Sequence, residues 1–255
     1  MRTVNIVVGT ADLSWIAGRL ARELEFCLPA YGWKATINGP KADLEYQQIV
    51  YGPPTSRPAV GLFTHGEDRP RKFATAYDGA VALNPVIAKA LYTYGARNPV
   101  VIEQAVDGIF HRRVSEYVFG VAGSTKADGR KGEALVKQMK DAGYTVLGHG
   151  SGWPCPIVSA DYATLPDFYR MLDYYVVTSS DEGGCTPILE AAAMAVPVIS
   201  PKIGFAIRRP VLEYKAGDWA SLHAVLRSVT EHRTYDDWAK EHARYFDEVM
   251  EQVSA

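Results

Sequence analysis

The sequence predicts an α/β chain organised as two parallel-sheet domains, each sheet carrying helices on both faces. Three observations predict it. Short β-branched runs alternate with helical patterns along the whole chain, the order that parallel strands and crossover helices impose. A length of 255 residues suits two units of about 110 residues better than one very large sheet. Hydrophobic residues make up 47% and charged residues 22%, the balance of a soluble globular core.

The first half opens on the apolar run Val4–Val8, closed by Gly9, and continues into an amphipathic stretch over Ser14–Phe26. Lys34–Ile37, Gln48–Tyr51, Val60–Thr64 and Ala80–Leu83 read as further strands. Pro85–Tyr94 reads as a helix, with Asn84 as N-cap and proline at the first position. Pro99–Ile102 is the last strand of this half, and Glu103–Glu116, without a clear period, reads as a linker. The second half repeats the theme: strand Tyr117–Val121, helix Arg130–Ala142 stopped by Gly143, and strand Tyr144–Leu147. Then come helix Leu165–Leu172, strand Tyr174–Thr178, helix Pro187–Ala195, strand Pro197–Ser200, and helices Ala220–His232 and Tyr235–Val253.

Bulk properties narrow the function. The net charge of −2 gives no global field toward nucleic acid or membrane. The three cysteines, Cys27, Cys155 and Cys185, form no Cys-x-x-Cys pair and read as free thiols of a reducing compartment. The N-terminus reads as a buried strand, not as a signal peptide, and no apolar run is long enough for a membrane helix. A cytoplasmic location is the expectation.

The chemistry concentrates in Tyr174–Ser200. A strand ends at Thr178, a polar glycine-bearing turn follows, and a helix opens with Thr186 as expected N-cap and Pro187 behind it. Ligands of open α/β sheets bind outside the carboxyl ends of the strands, where this turn lies. Gly183 and Gly184 leave backbone N–H groups bare toward an anion or a sugar hydroxyl, and Cys185 beside them reads as a small packing residue of the same wall. Glu182 in the turn and Glu190 in the helix, with seven residues between them, can address two parts of one extended ligand.

Each of these residues also has a plainer reading. Glu190 alone is a carboxylate favoured by the helix dipole, Lys131 alone a solvated helix charge, and His65 alone a capped loop histidine. Rival motifs fail. Gly148-His-Gly150-Ser-Gly152 is followed by Pro154 and Pro156 instead of a helix, no Gly-Lys-Ser/Thr occurs, and no Gly-x-Ser-x-Gly elbow or zinc-type cluster is present. Asp-x-Asp, the usual clamp for a metal-bound diphosphate, is also missing, so no metal and no cofactor are expected.

Ser179, Glu182, Gly183, Leu189, Glu190, Ala191, Pro197, Val198 and Ile199 together resemble the signature of the retaining, family 4-like glycosyltransferases, which include sucrose and glycogen synthases and many lipopolysaccharide and phage sugar transferases. The match runs over roughly residues 95–205 and is weak over the first 90. The resemblance implies the GT-B fold, two Rossmann-like domains facing across a cleft. Residues 1–112 would be the acceptor-side domain, 113–233 the donor domain, and 234–255 a helix packing back on the first. It implies transfer of a hexose, with retention, from a nucleoside-diphosphate sugar, UDP-linked in the expected form.

Residue by residue, the resemblance assigns the donor-sugar hydroxyls to Glu182 and the two ribose hydroxyls to Glu190. Gly120–Thr125 with Arg130-Lys-Gly132 looks like the diphosphate loop, with Gly123 and Ser124 at its turn and Lys131 as the phosphate cation. Where the family carries arginine after the glycine, this chain has Ser124, which leaves Lys126 or Arg130 as the second cation. His149, in Val146–Gly150, falls in the family's glycine loop near the base. His65, after Val60–Phe63, falls where the family has a histidine facing the reacting sugar, so His65 and Glu182 form the expected catalytic pair. Gly9, Ser14, Arg69, Arg71 and Lys72 fall on the acceptor side.

The acceptor is read more coarsely. Arg69, Arg71 and Lys72, then Arg112 and Arg113, then Arg208 and Arg209 each follow a strand end or the crossing, and a ring of them would suit a polyanion such as hydroxymethylated DNA or a phosphate-bearing glycan or lipid. Scattered surface arginines are the plainer alternative. Two other functions stay open: a nucleotide-sugar-binding protein without transfer, and a sugar epimerase on a related fold.

Overall fold

The computed structural model describes residues 1–9, 16–64, 68–125 and 128–255, without the side chains of Asp68, Arg69 and Ile109. The chain divides into two compact units. Unit 1 comprises Met1–Phe110 with Arg233–Ala255, and unit 2 comprises His111–His232.

Unit 1 contains β1 (Arg2–Val7), α1 (Ile16–Cys27), β2 (Trp33–Ile37), β3 (Leu44–Gln47), β4 (Ala59–Phe63), α2 (Asp68–Phe73), β5 (Gly79–Ala82), α3 (Pro85–Thr93) and β6 (Val100–Val101). Its strands form one sheet in the order β2-β1-β3-β4-β5-β6, and every pairing is parallel. The order reverses between β1 and β3. Asn84 caps α3 by accepting from the Ile87 N–H at 3.0 Å, with Pro85 opening the helix.

Unit 2 contains β7 (Val118–Ser124), α4 (Glu133–Asp141), β8 (Thr145–Ser151), α5 (Leu165–Arg170), β9 (Tyr174–Val176), α6 (Thr186–Ala193), β10 (Val198–Ser200), β11 (Leu212–Glu213) and α7 (Trp219–Thr230). Its parallel sheet runs β11-β10-β9-β7-β8 and reverses between β7 and β9. The fold is therefore two Rossmann-like parallel α/β domains.

The chain ends in α8 (Tyr235–Ser254), which belongs to unit 1. Thr234 and Asp237 close a capping box at its start, Asp237 N–H donating to Thr234 Oγ1 at 3.1 Å. Trp238, His242, Tyr245, Phe246 and Val249 recur at helical spacing and are buried against Trp33, Tyr46 and α1. Five large side chains on one stripe make this helix part of the core, since each buried aromatic or aliphatic side chain contributes about 1.5–3 kcal/mol.

Several elements depart from the sequence expectation. The strand expected at Gln48–Tyr51 lies earlier, at Leu44–Gln47. Two of its four residues are polar yet buried, which hid it. The Glu45 carboxylate accepts from the N–H and hydroxyl groups of Thr55 and Ser56 at 2.6–2.9 Å, and Gln47 accepts from the Tyr77 hydroxyl at 2.5 Å. Burial pushes Glu45 up, but those donors outweigh it and hold its pKa below the ordinary value.

α4 starts at Glu133, not Arg130, because Gly132 precedes it with φ +78°. The first residue of α6 is Thr186, so the cap position falls on Cys185, and no side chain caps this helix. The strand expected over Tyr144–Leu147 runs on to Ser151, so His149 and Gly150 are strand residues of β8 and not a loop. Gly150 permits this. A Cβ there would stand 2.2 Å from the Gly123 carbonyl oxygen across the pair.

Candidate functional site

A cavity of about 240 Å³ opens where the second sheet reverses its strand order. Gly123 at the end of β7, Val176–Ser179 at the end of β9, and Gly184–Pro187 at the start of α6 line it, with Lys131, Trp153 and Glu182. This is the crevice in which open α/β sheets take ligands.

Backbone contacts fix the Arg130–Gly132 turn to the exit of β9. Thr178 Oγ1 donates to the Lys131 carbonyl at 2.6 Å, and the Ser180 N–H donates to the Arg130 carbonyl at 3.1 Å. Gly132 is needed for this approach, because a Cβ there would stand 2.1 Å from the Thr178 carbonyl oxygen. The docked turn delivers Lys131 to the cavity, where its ammonium donates to Glu182 Oε1.

Ser179 Oγ donates to the same Glu182 oxygen at 2.8 Å. Arg130 donates to the Asp181 carbonyl at 2.8 Å and stands 3.8 Å from Glu182 Oε2. Burial pushes Glu182 up, but the Lys131 and Ser179 bonds prevail and hold its pKa below the ordinary carboxylate value. The site thus holds an ionised carboxylate and a cation facing one another.

The Cys185 thiol is buried at the mouth of α6. Burial first, then the Glu182 charge, push its pKa up, so it stays protonated and packs instead of attacking. Gly184 lines the cavity beside it, whereas Gly183 is exposed and borders open space. Ser124 is exposed at the tip of β7.

Glu190 belongs to a different cavity. It lines a space of about 250 Å³ one turn further along α6, with Tyr162, Leu165, Pro166, Tyr169, Ala193 and Met194. Its Oε2 accepts from the Tyr169 hydroxyl at 2.6 Å. The two glutamates therefore address separate recesses, one polar and one largely apolar. His149 faces neither recess. Its Nδ1 lies 3.2 Å from the Val158 carbonyl and its ring packs on Phe168.

The remaining assignments scatter. Ser14, His65 and Lys126 lie outside the described residues, as does the Arg69 side chain. Gly9 follows β1 beside the Tyr51 ring, and Arg71 and Lys72 are exposed in the last turn of α2, all in unit 1. Arg112 and Arg113 both make ion pairs inside unit 2. Arg112 forms a two-bond pair with Asp173 at 2.8 and 2.9 Å and lies over the Tyr117 ring, and Arg113 pairs with Glu116. Arg208 and Arg209 are exposed after β10.

Sequence reading missed two lining residues. Trp153 forms a wall and donates from its indole N–H to the Gly123 carbonyl at 2.8 Å, and Tyr169 holds Glu190. Neither carries a motif, and each meets its partner only through the fold. Among the described residues no group of three or more His, Cys, Asp or Glu side chains gathers to hold a metal, and no helix is long and apolar enough to cross a membrane.

No profile of a known protein family matches the chain, and no curated protein matches it. Among solved structures it is similar to Anabaena HepE in complex with UDP and glucose, at 12% identity over 100% of this chain and 98% of that one, with a TM-score of 0.39. It is also similar to sucrose-phosphate synthase of Thermosynechococcus elongatus, at 13% identity, the same coverage and a TM-score of 0.38. The match to TarM has 14% identity, covers 89% of this chain but 54% of that one, and has a TM-score of 0.36.

Proposed function

We propose that this chain is a glycosyltransferase that moves a hexose from a nucleoside-diphosphate sugar to an acceptor hydroxyl, with retention and without a metal. The observation that carries the reading is the Lys131–Glu182–Ser179 group at the reversal point of the second sheet, beside the start of α6. A cation and a helix N-terminus there suit a diphosphate. A carboxylate held ionised next to them suits the hydroxyls of the attached sugar.

The chemistry follows from that placement. An arriving diphosphate competes with Glu182 for the Lys131 ammonium. Once Lys131 turns to phosphate, Glu182 keeps its Ser179 bond and gains free lone pairs for sugar hydroxyls. As the glycosidic C–O bond breaks, negative charge grows on the departing phosphate oxygen, where Lys131 and the backbone at Gly184–Thr186 are aimed in advance. The sugar passes through an oxocarbenium-like state, and the acceptor hydroxyl bonds to the anomeric carbon on the face the diphosphate leaves. The acceptor's proton goes to the leaving diphosphate.

Incubation of the protein with UDP-, GDP- and ADP-hexoses, with and without a mixed acceptor extract, tests the reading. Release of nucleoside diphosphate that depends on Lys131 and Glu182 supports it. Absence of both binding and turnover with every donor overturns it, and conversion of the donor to an isomeric nucleotide sugar replaces it with an epimerase.

A further inference from the structure

The structure assigns Tyr169 a positioning role in the reaction proposed above: its hydroxyl holds the Glu190 carboxylate so that one oxygen is turned to a ribose hydroxyl of the donor nucleotide. This rests on the nucleotide-sugar reading and adds a residue that no motif marks.

Glu190 sits on α6 and Tyr169 on α5, and the two side chains are joined by the 2.6 Å bond from the Tyr169 hydroxyl to Oε2. Tyr169 itself cannot swing. It is 1% exposed, and its ring packs on Phe168 and Tyr175. Glu190 is only half-buried, and Oε1 makes no hydrogen bond among the described residues. A glutamate has three rotatable side-chain bonds, so an unanchored one would lose rotamer freedom on binding. The anchored carboxylate has lost that freedom already, and Oε1 is left as the free acceptor in the 250 Å³ recess. Burial and the adjacent carboxylate push the Tyr169 hydroxyl far above its ordinary pKa, so it remains a donor at every working pH.

Calorimetry with UDP and with 2′,3′-dideoxy-UDP, which lacks both ribose hydroxyls, decides the point. The proteins are the wild type, Tyr169→Phe, Glu190→Ala and the double variant. Tyr169→Phe should weaken UDP roughly five- to tenfold and leave the dideoxy ligand unchanged. The double variant should bind UDP no worse than Glu190→Ala alone. Equal weakening of both ligands would mean that Tyr169 merely supports the fold, and an unchanged UDP affinity would mean that it does not position Glu190. Either result overturns the assignment while nucleotide binding stands. A wild type that binds none of UDP, GDP and ADP removes the proposed function, and this assignment with it.

Discussion

Lys131 and Glu182, 51 positions apart in sequence, meet as an ion pair inside the cavity at the carboxyl ends of β7 and β9. Their side chains are 18% and 12% exposed, so neither charge is well screened by water. Removing one member leaves the other partly withdrawn from water without its counter-charge. Lys131→Met should therefore raise the Glu182 pKa, because it deletes the main donor that holds the carboxylate down. The same change should weaken UDP roughly ten- to hundredfold. Titration of Glu182 by carbon NMR and calorimetry with UDP measure the two effects. A Glu182 pKa that does not move would refute the electrostatic account of the pair.

The two glutamates should separate in function, because they line different recesses. Glu190→Ala should weaken binding of free UDP, whereas Glu182→Ala, which removes the competitor for Lys131, should leave UDP binding as tight or tighter and cancel the extra affinity of the intact UDP-hexose. Calorimetry with both ligands on both variants checks this. Identical losses on both ligands would end the division of labour.

Turnover should survive excess chelator, since Lys131 faces the cavity and the helix start of α6 adds its N–H groups. A rate that collapses in EDTA and returns with magnesium or manganese would be incompatible with that chemistry.

Gln48 offers a test of stability in unit 1. It is fully buried, and among the described residues neither its amide nitrogen nor its amide oxygen has a hydrogen-bond partner. An unpaired buried amide costs about 1–3 kcal/mol. Gln48→Leu keeps the volume and removes both polar atoms, so it should raise the melting temperature, by roughly 2–4 °C per kcal/mol for a chain of this size. A fall in melting temperature on calorimetry would show that the amide is satisfied in the folded protein.

How far the sequence could be read followed from how local each signal was. The Asn84 cap, the stop at Gly143 and the strand-helix order depend on neighbours within a turn or two, and all are legible in the residues. β3 was hidden because Glu45 and Gln47 look like surface residues until Thr55, Ser56 and Tyr77 close over them. In the candidate site, spacing drew attention to Glu182 and Glu190, but it could not reveal that they face different recesses. That depends on α5, whose Tyr169 lies 21 positions before Glu190. Arg112 is the mirror-image case. A basic pair in a linker reads as available charge until Asp173 is brought beside it.

The last test uses acid. His242 is fully buried on α8, with Nε2 2.9 Å from the Tyr46 hydroxyl and Nδ1 2.9 Å from the Trp238 carbonyl. The geometry fits a neutral ring that donates from Nδ1 and accepts from Tyr46 at Nε2. Burial, partly offset by the Trp238 carbonyl, and then the Arg233 charge lower its pKa from 6.5 to about 4. The unfolded chain takes up the proton near the ordinary value, while the folded chain resists it. Stability is therefore complete above about pH 7 and declines as the pH falls from about 6.5 to about 4, because protons bind the unfolded state first. The full loss is on the order of 3 kcal/mol at the bottom of that window. His242→Gln keeps an acceptor for Tyr46 but does not titrate. Urea unfolding followed by the fluorescence of Trp33 and Trp238, at pH 7.5 and pH 5.0, should show a larger drop for the wild type than for the variant. Because carboxylates titrate identically in both proteins, their contribution cancels in the difference. Equal drops would mean that His242 is not the group through which acid loosens α8 from the unit 1 sheet.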